Sequence, residues 1–248
     1  MAKISIDINY IKDSLDNIGY VVSDLIEREN QGINWQIKFS NSGAVVTVYD
    51  TNNKGNSVVN GKPEADEGIR LKKLVDGLKC KEINIDPINK DIVGLINSQT
   101  EGSYYDFKQQ WYETGKNGDF LHDVLCLANN TENRDAFLIV GVTDTYDVIG
   151  VDDWARSNDI LDFFKSKKFS GGQIPQIELK KIYYKFIKID VLQIKATKDV
   201  PFFLEEKYRD VGTQIYTRIG DTNTPKNEQA SYHDIEKLWE IHFSCKRD

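Results

Sequence analysis

Seven consecutive residues without a polar side chain, Ala136-Phe137-Leu138-Ile139-Val140-Gly141-Val142, most narrow what this chain can become. A short apolar run of this kind, bounded by turn residues, predicts a central strand of a sheet. On its amino-terminal side Phe120, Val124, Leu127 and Ala128 recur at helical spacing within residues 119–130, which predicts a helix. On its other side Thr145-Tyr146-Asp147 is expected to turn the chain into a second strand ending at Val151.

The rest of the chain reads as an α+β protein of two domains, residues 1–85 and 86–248. Within residues 7–27, Ile8, Ile11, Leu15, Ile18, Val22 and Leu25 fall at three- and four-residue steps and predict one amphipathic helix. Strands follow over 34–39 and 44–50, joined by Ser40-Asn41-Ser42-Gly43, with a third near 57–60. A helix over 63–78 turns Leu71, Leu74, Val75 and Leu78 to one side. Asp86-Pro87 then marks a helix start, since aspartate caps and proline suits the first turn. Further on, Ile160, Leu161 and Phe164 predict a helix, and strands are expected within 177–196, over 202–205 and over 214–219. Ser231, with Asp234 three residues on, opens a last helix that buries Ile235, Leu238 and Trp239.

Chemistry concentrates in Glu101-Gly102-Ser103-Tyr104-Tyr105-Asp106-Phe107-Lys108 and in Asp144 beyond the apolar run. Along a strand side chains alternate, so Asp106 and Lys108 share a face with Tyr104, while Tyr105 and Phe107 take the other. Glu101 is out of phase with Asp106 and joins it only if Gly102 and Ser103 turn or bulge the chain. With Asp144 it would make three carboxylates. Clustered carboxylates repel and are usually held by a cation, and all-oxygen ligation suits Mg²⁺ or Mn²⁺. Such an ion activates water and clamps a phosphodiester, with Lys108 offsetting the charge that develops. The other reading of the same residues is a set of solvated charges on a strand edge.

Composition limits the partners. The 248 residues carry a net charge of −7, with a pI near 5.1, whereas a surface that coats nucleic acid is normally basic. Contact with nucleic acid must then come from local patches. Lys165, Lys167 and Lys168 precede Ser170-Gly171-Gly172, and aromatics stand among the lysines from Lys180 to Lys188, so rings could stack on unpaired bases, whereas alternation turns several of Ile182, Tyr184 and Phe186 to the core and leaves a solvated lysine face as the other reading. Arg218 fits either a phosphate contact or a buried pair with a carboxylate. Cys80, Cys126 and Cys245 have no disulfide or zinc spacing, and His122, His233 and His242 form no local catalytic pattern. No apolar run is long enough to cross a bilayer and no signal-peptide pattern follows Met1, so a cytoplasmic protein is expected.

The order Glu101-x4-Asp106-Phe107-Lys108, Leu127-Ala128-Asn129-Asn130, Ile139-Val140-Gly141-Val142-Thr143-Asp144 and Val148-Ile149-Gly150-Val151 resembles the AlbA-like module of the Schlafen family. Val200-Pro201 and the stretch from Ile215 to Asp221 look like its closing strands, so the resemblance spans roughly residues 99 to 226. It implies an α+β fold with a mixed sheet. It also implies a metal-dependent endoribonuclease acting on tRNA, rRNA or other structured RNA in preference to DNA, with Glu101, Asp106 and Asp144 as the metal site. Small proteins of this kind often act as toxins or in phage defence. Many such modules carry a Gly-Gly pair before the central strand, where this chain has residues 131–135 without glycine, which leaves ATP binding the least supported reading. A non-catalytic nucleic-acid-binding module is the alternative. Residues 46–62 also resemble the TATA-binding-protein-like module at the front of some ribonucleases. Members of the Schlafen family that grip structured RNA use two modules in one chain, so a homodimer is expected here.

Overall fold

The computed structural model describes residues 6–29, 33–49, 57–63, 66–153 and 155–244. The chain forms two compact units, residues 1–98 with 182–187 and residues 99–181 with 188–248. Asp50, the polar turn after it and Cys245, all singled out in the sequence, lie outside the described residues.

In the first unit α1 (Ile8–Asn17) is followed by β1 (Val22–Glu29), β2 (Ile33–Phe39), β3 (Ala44–Tyr49) and β4 (Val58–Gly61), then α2 (Glu67–Lys79) and α3 (Asn89–Ser98). The four strands form an antiparallel meander in chain order. Asp7 caps α1 by accepting from the Tyr10 amide at 3.0 Å, and Ile11 and Leu15 enter a core shared with Ile37, Val46, Leu74 and Leu78. The single helix expected over 7–27 is corrected here: it ends at Asn17, and residues 22–29 pair with β2 as a strand. Asp16 makes the switch by accepting the Val22 N–H at 2.9 Å, while Ile18 and Tyr20 drop into the core between helix and strand. Val22 and Leu25 satisfied helical spacing by coincidence. The units divide at residues 98 and 99, later than the expected break at 85. The fully buried Asn89 of α3 explains this. Its amide donates to Asn17 O at 2.9 Å and Tyr183 O at 2.7 Å and accepts from Tyr183 N at 3.0 Å, so α3 is fastened to residues of the first unit.

The second unit contains β5 (Tyr105–Lys108), α4 (Asn117–Ala128), β6 (Ala136–Val140), α5 (Ser157–Lys165), β7 (Ile177–Tyr184), β8 (Ile187–Ile194), the two-residue strands β9 (Arg218–Ile219) and β10 (Thr222–Asn223), and α6 (Tyr232–Phe243). Its sheet runs β5-β6-β8-β7. β5 pairs with β6 in parallel, Asp106 opposite Leu138, and β6 pairs antiparallel with β8. The fold is therefore α+β with a mixed sheet. A parallel pair needs a crossover, and α4 supplies it. Every residue of β6 is buried, as its unbroken apolar run requires. Beyond β6, Gly141 sits at φ +110° and donates to Lys108 O at 2.8 Å. Gly150 packs so close that a side chain on Gly141 would place its Cβ 2.9 Å from the Gly150 Cα.

Residues 195–217 contribute no named strand, and scattered backbone bonds, such as Ser170 N–H on Phe203 O and Glu205 N–H on Lys168 O, share with side chains the task of holding them. Asn129, fully buried just past α4, adds three bonds of its own: its amide donates to Phe202 O at 2.8 Å and Tyr216 O at 2.9 Å and accepts from Phe202 N at 2.7 Å. An apolar replacement strands all three backbone groups out of water. Asn129→Ala is expected to lower the free energy of unfolding by about 3 kcal/mol or more, at roughly 1–3 kcal/mol for each orphaned group. Urea denaturation measures it, and a loss under about 1 kcal/mol would mean that water replaces the amide.

Candidate functional site

The turn after α3 decides where Glu101 goes. Gly102 donates to Tyr105 O across a single bridge, at 3.5 Å, so the chain folds back at the start of β5. A side chain on Gly102 would put its Cβ 2.7 Å from the Tyr105 ring, so the reversal needs glycine. Glu101 thereby reaches the side of Asp106, as the sequence allowed only for a turned chain. Between the two carboxylates stands Arg218, whose Nη2 donates to Glu101 Oε2 at 2.8 Å and to Asp106 Oδ1 at 3.3 Å. The Arg218 Nε donates to Gly102 O at 2.9 Å, fixing the reversal itself.

From this pair a closed ring of polar contacts runs through the unit. Lys108 Nζ donates to Asp106 Oδ2 at 2.6 Å and lies 3.4 Å from Asp123 Oδ2. Asp123 Oδ1 accepts from Asn223 Nδ2 at 2.8 Å, and Asn223 Oδ1 accepts from Arg218 Nη1 at 2.9 Å. The Tyr112 hydroxyl donates to Asp123 as well. Asp106 and Arg218 are almost wholly buried, their side chains 4% and 3% exposed, whereas Lys108 and Glu101 retain 31% and 27%. A ligand can thus reach the ring through Lys108 and Glu101. Alternation on β5 had assigned Asp106 a polar face and Tyr105 and Phe107 the buried one; all three are buried, because Arg218 covers Asp106.

The electrostatics follow from that burial. Desolvation, and after it the charge of Asp106, push the Glu101 carboxyl above the usual glutamate range, with Arg218 offsetting part of the rise. Burial works against the Lys108 ammonium, but Asp123 and Asp106 outweigh it and hold its pKa above the ordinary lysine value. Tyr112 is held well above the ordinary tyrosine value by burial and then by Asp123, so its hydroxyl stays a donor. Beside the ring lies an open cleft of about 420 Å³ lined by residues that include Lys108, Trp111, Tyr112, His122, Asp123 and Lys226. Burial lowers the His122 pKa.

Asp144 is not part of this ring. It lies exposed on the 143–147 turn, which is closed by Thr143 N–H on Asp147 O at 3.0 Å and by a Thr145 hydroxyl on Asp147 at 2.8 Å. Among the described residues no group of three or more His, Cys, Asp and Glu side chains is placed to hold a metal ion. The ring's carboxylates are paired instead with Lys108 and Arg218. Of the basic residues expected to meet nucleic acid, Lys165 is exposed at the end of α5. Lys167 lies over the Phe163 and Tyr208 rings at 4.5 and 4.1 Å. Lys168 pairs with Glu206 at 3.3 Å, and Arg218 is buried in the ring. Asp123, Asn223 and Tyr112 were missed by sequence reasoning. Asp123 had a faint signal, four residues after Asp119 on one helix face, but Asn223 had none.

A family model, Schlafen, AlbA_2, matches residues 101–227. No curated protein matches the chain.

Removing one partner of a buried ion pair leaves the other charge uncompensated, at a cost of about 3–5 kcal/mol. Arg218→Met is expected to destabilise the protein by that amount in urea denaturation, and adding Asp106→Asn to recover part of the loss. A single variant within about 1 kcal/mol of the parent would mean that water already screens the ring.

Proposed function

The chain belongs to the Schlafen, AlbA_2 family, which is related to nucleic acids, and we propose that its second unit is an endoribonuclease that cuts phosphodiester bonds of tRNA or another structured RNA. The observation that carries this reading is the pair of reachable groups on an otherwise buried charge ring: Glu101 and Lys108. A phosphodiester under attack gains negative charge on its non-bridging oxygens. Lys108, fixed by Asp106 and Asp123, offers an ammonium that needs no reorganisation to meet it. Glu101, whose affinity for protons is raised by burial and by Asp106, is suited to take the proton of the attacking hydroxyl. Arg218 holds Glu101 in place from behind.

Mg²⁺ or Mn²⁺ at Glu101, Asp106 and Asp144 is the second reading. The residues as arranged do not fit it, since Arg218 stands between the first two and Asp144 is on an exposed turn. What favours a cation is the charge balance: among the described residues three carboxylates, Glu101, Asp106 and Asp123, meet two full cations, Lys108 and Arg218, with the His122 ring 3.9 Å from Asp123. A role as a non-catalytic binding module, in which the ring is purely structural, is the competing class. ATP binding has the least in its favour, because residues 131–135 lack the glycines of a phosphate loop.

Glu101→Gln is expected to slow cleavage of a tRNA about 10²–10⁴-fold while leaving its affinity within a few-fold, because the group acts on the transition state more than on ground-state binding. A purified parent that binds the RNA without cutting it, with or without Mn²⁺, would turn the assignment to a binding module. Asp144→Ala separates the two chemistries: Mn²⁺-dependent cleavage is lost if the ion needs it and unchanged if Glu101 and Lys108 suffice.

The reading extends to assembly. One acidic module offers few phosphate contacts, each a modest and salt-sensitive gain, and a symmetric pair would double them. Tyr232 and Trp239 on α6 are exposed and would supply the face for such pairing. Light scattering at micromolar concentration is expected to report about twice the 28.4 kDa chain mass, and a monomer cutting RNA at full rate would dispose of the pairing.

A further inference from the structure

The first unit contains an open cavity of about 550 Å³ whose lining is drawn from separate parts of the sequence. Tyr20 comes from just before β1, Ser42 from the turn between β2 and β3, Lys62 from the end of β4, Glu67 and Arg70 from the first turn of α2, and Lys185 from the turn between β7 and β8. Among the described lining residues Lys62, Arg70 and Lys185 bring three positive charges against one carboxylate, Glu67, a local excess of two in a chain whose total is −7. Cations gathered against the sign of the whole protein create a local field that concentrates anions.

A second observation comes from Tyr20. Its side chain is 1% exposed, its ring packs against Phe39 at 5.3 Å, and it lines the cavity. Among the described residues its hydroxyl has no hydrogen-bond partner. A buried phenol normally finds one. A donor that lines the same cavity as three cations is what an anion with several acceptor oxygens would use.

We propose that this cavity binds a phosphomonoester, the group at the end of a nucleotide or of a nucleic-acid strand. A monoester carries close to two negative charges at neutral pH, which matches the excess of two on the lining; a backbone diester carries one. The volume lies within the range of pockets that enclose a small molecule, so a nucleoside attached to the phosphate has room. Lys62, Arg70 and Lys185 neutralise the phosphate and the Tyr20 hydroxyl donates to one of its oxygens. This assignment does not rest on the chemistry proposed for the second unit, whose residues are all different.

The test uses the whole chain in low-salt calorimetric titrations with adenosine 5′-monophosphate, with adenosine, and with one short oligonucleotide bearing either a 5′-phosphate or a 5′-hydroxyl. The phosphate-bearing member of at least one pair is expected to bind at least tenfold tighter than its counterpart. Preference within the mononucleotide pair alone identifies a free nucleotide as the ligand, and preference within the oligonucleotide pair identifies a strand end. Arg70→Gln with Lys185→Gln is expected to weaken that binding by more than tenfold, and Tyr20→Phe by a few-fold. Thermal melts confirm that these variants remain folded. Equal binding with and without the phosphate, or affinity unchanged in the double variant, would overturn the assignment.

Discussion

The second unit depends on one guanidinium being taken out of water. Arg218 is buried between Asp106 and Glu101 and also binds the Gly102 carbonyl and Asn223. Those contacts join the start of β5, the β9–β10 hairpin and, through Asn223 and Asp123, the helix α4. Among the described residues no backbone ladder links these three segments, so polar side chains, the His122 ring on Thr224 O among them, and the shared apolar core set how they meet. The bond to Gly102 keeps Glu101 beside Asp106, and the rest of the ring keeps Lys108 pointed at Asp123. A buried ion pair is seldom a net gain in stability over apolar packing. Its value lies in geometry, because a planar donor fork satisfies four acceptors in only one arrangement.

Asn129 and Tyr216 complete the same device on the far side. Asn129 pins the backbone at Phe202 and Tyr216. The Tyr216 hydroxyl accepts from Gly212 N and reaches Gln214 and the Lys226 carbonyl. A long stretch with little sheet pairing is thus fixed by amide and phenol groups together with scattered backbone bonds, and Arg218 emerges from it already aimed.

Much of this was legible in the sequence where the signal is local. The apolar run of β6, the helical spacing of α4 and the Ser231 cap of α6 each encode an element within a dozen residues, and each element formed. The α1–β1 boundary was not legible, because Val22 and Leu25 continue a helical period although the Asp16 side chain has already stopped the helix. The site divides along the same line. Glu101, Asp106 and Lys108 declared themselves within eight residues, and Arg218 was seen as a residue needing a carboxylate. Asp123 and Asn223 entered from segments about a hundred residues apart, and only the packed fold reveals that they close a ring. Asp144 shows the converse: its position after the central strand is plain from sequence, but the threonine-closed turn that carries it is a tertiary outcome.

Residues 182–187 belong to the first unit, although β7 and β8, which they join, run on into the second. Tyr183 and Phe186, stacked 5.8 Å apart, pack on the first unit's core. No single cut in the polypeptide therefore separates two whole bodies. A fragment ending at Ser98 lacks part of its own interior, and one beginning at Gln99 carries a bare aromatic tip. Expressing the first unit whole therefore requires a segment borrowed from the other side of the cut.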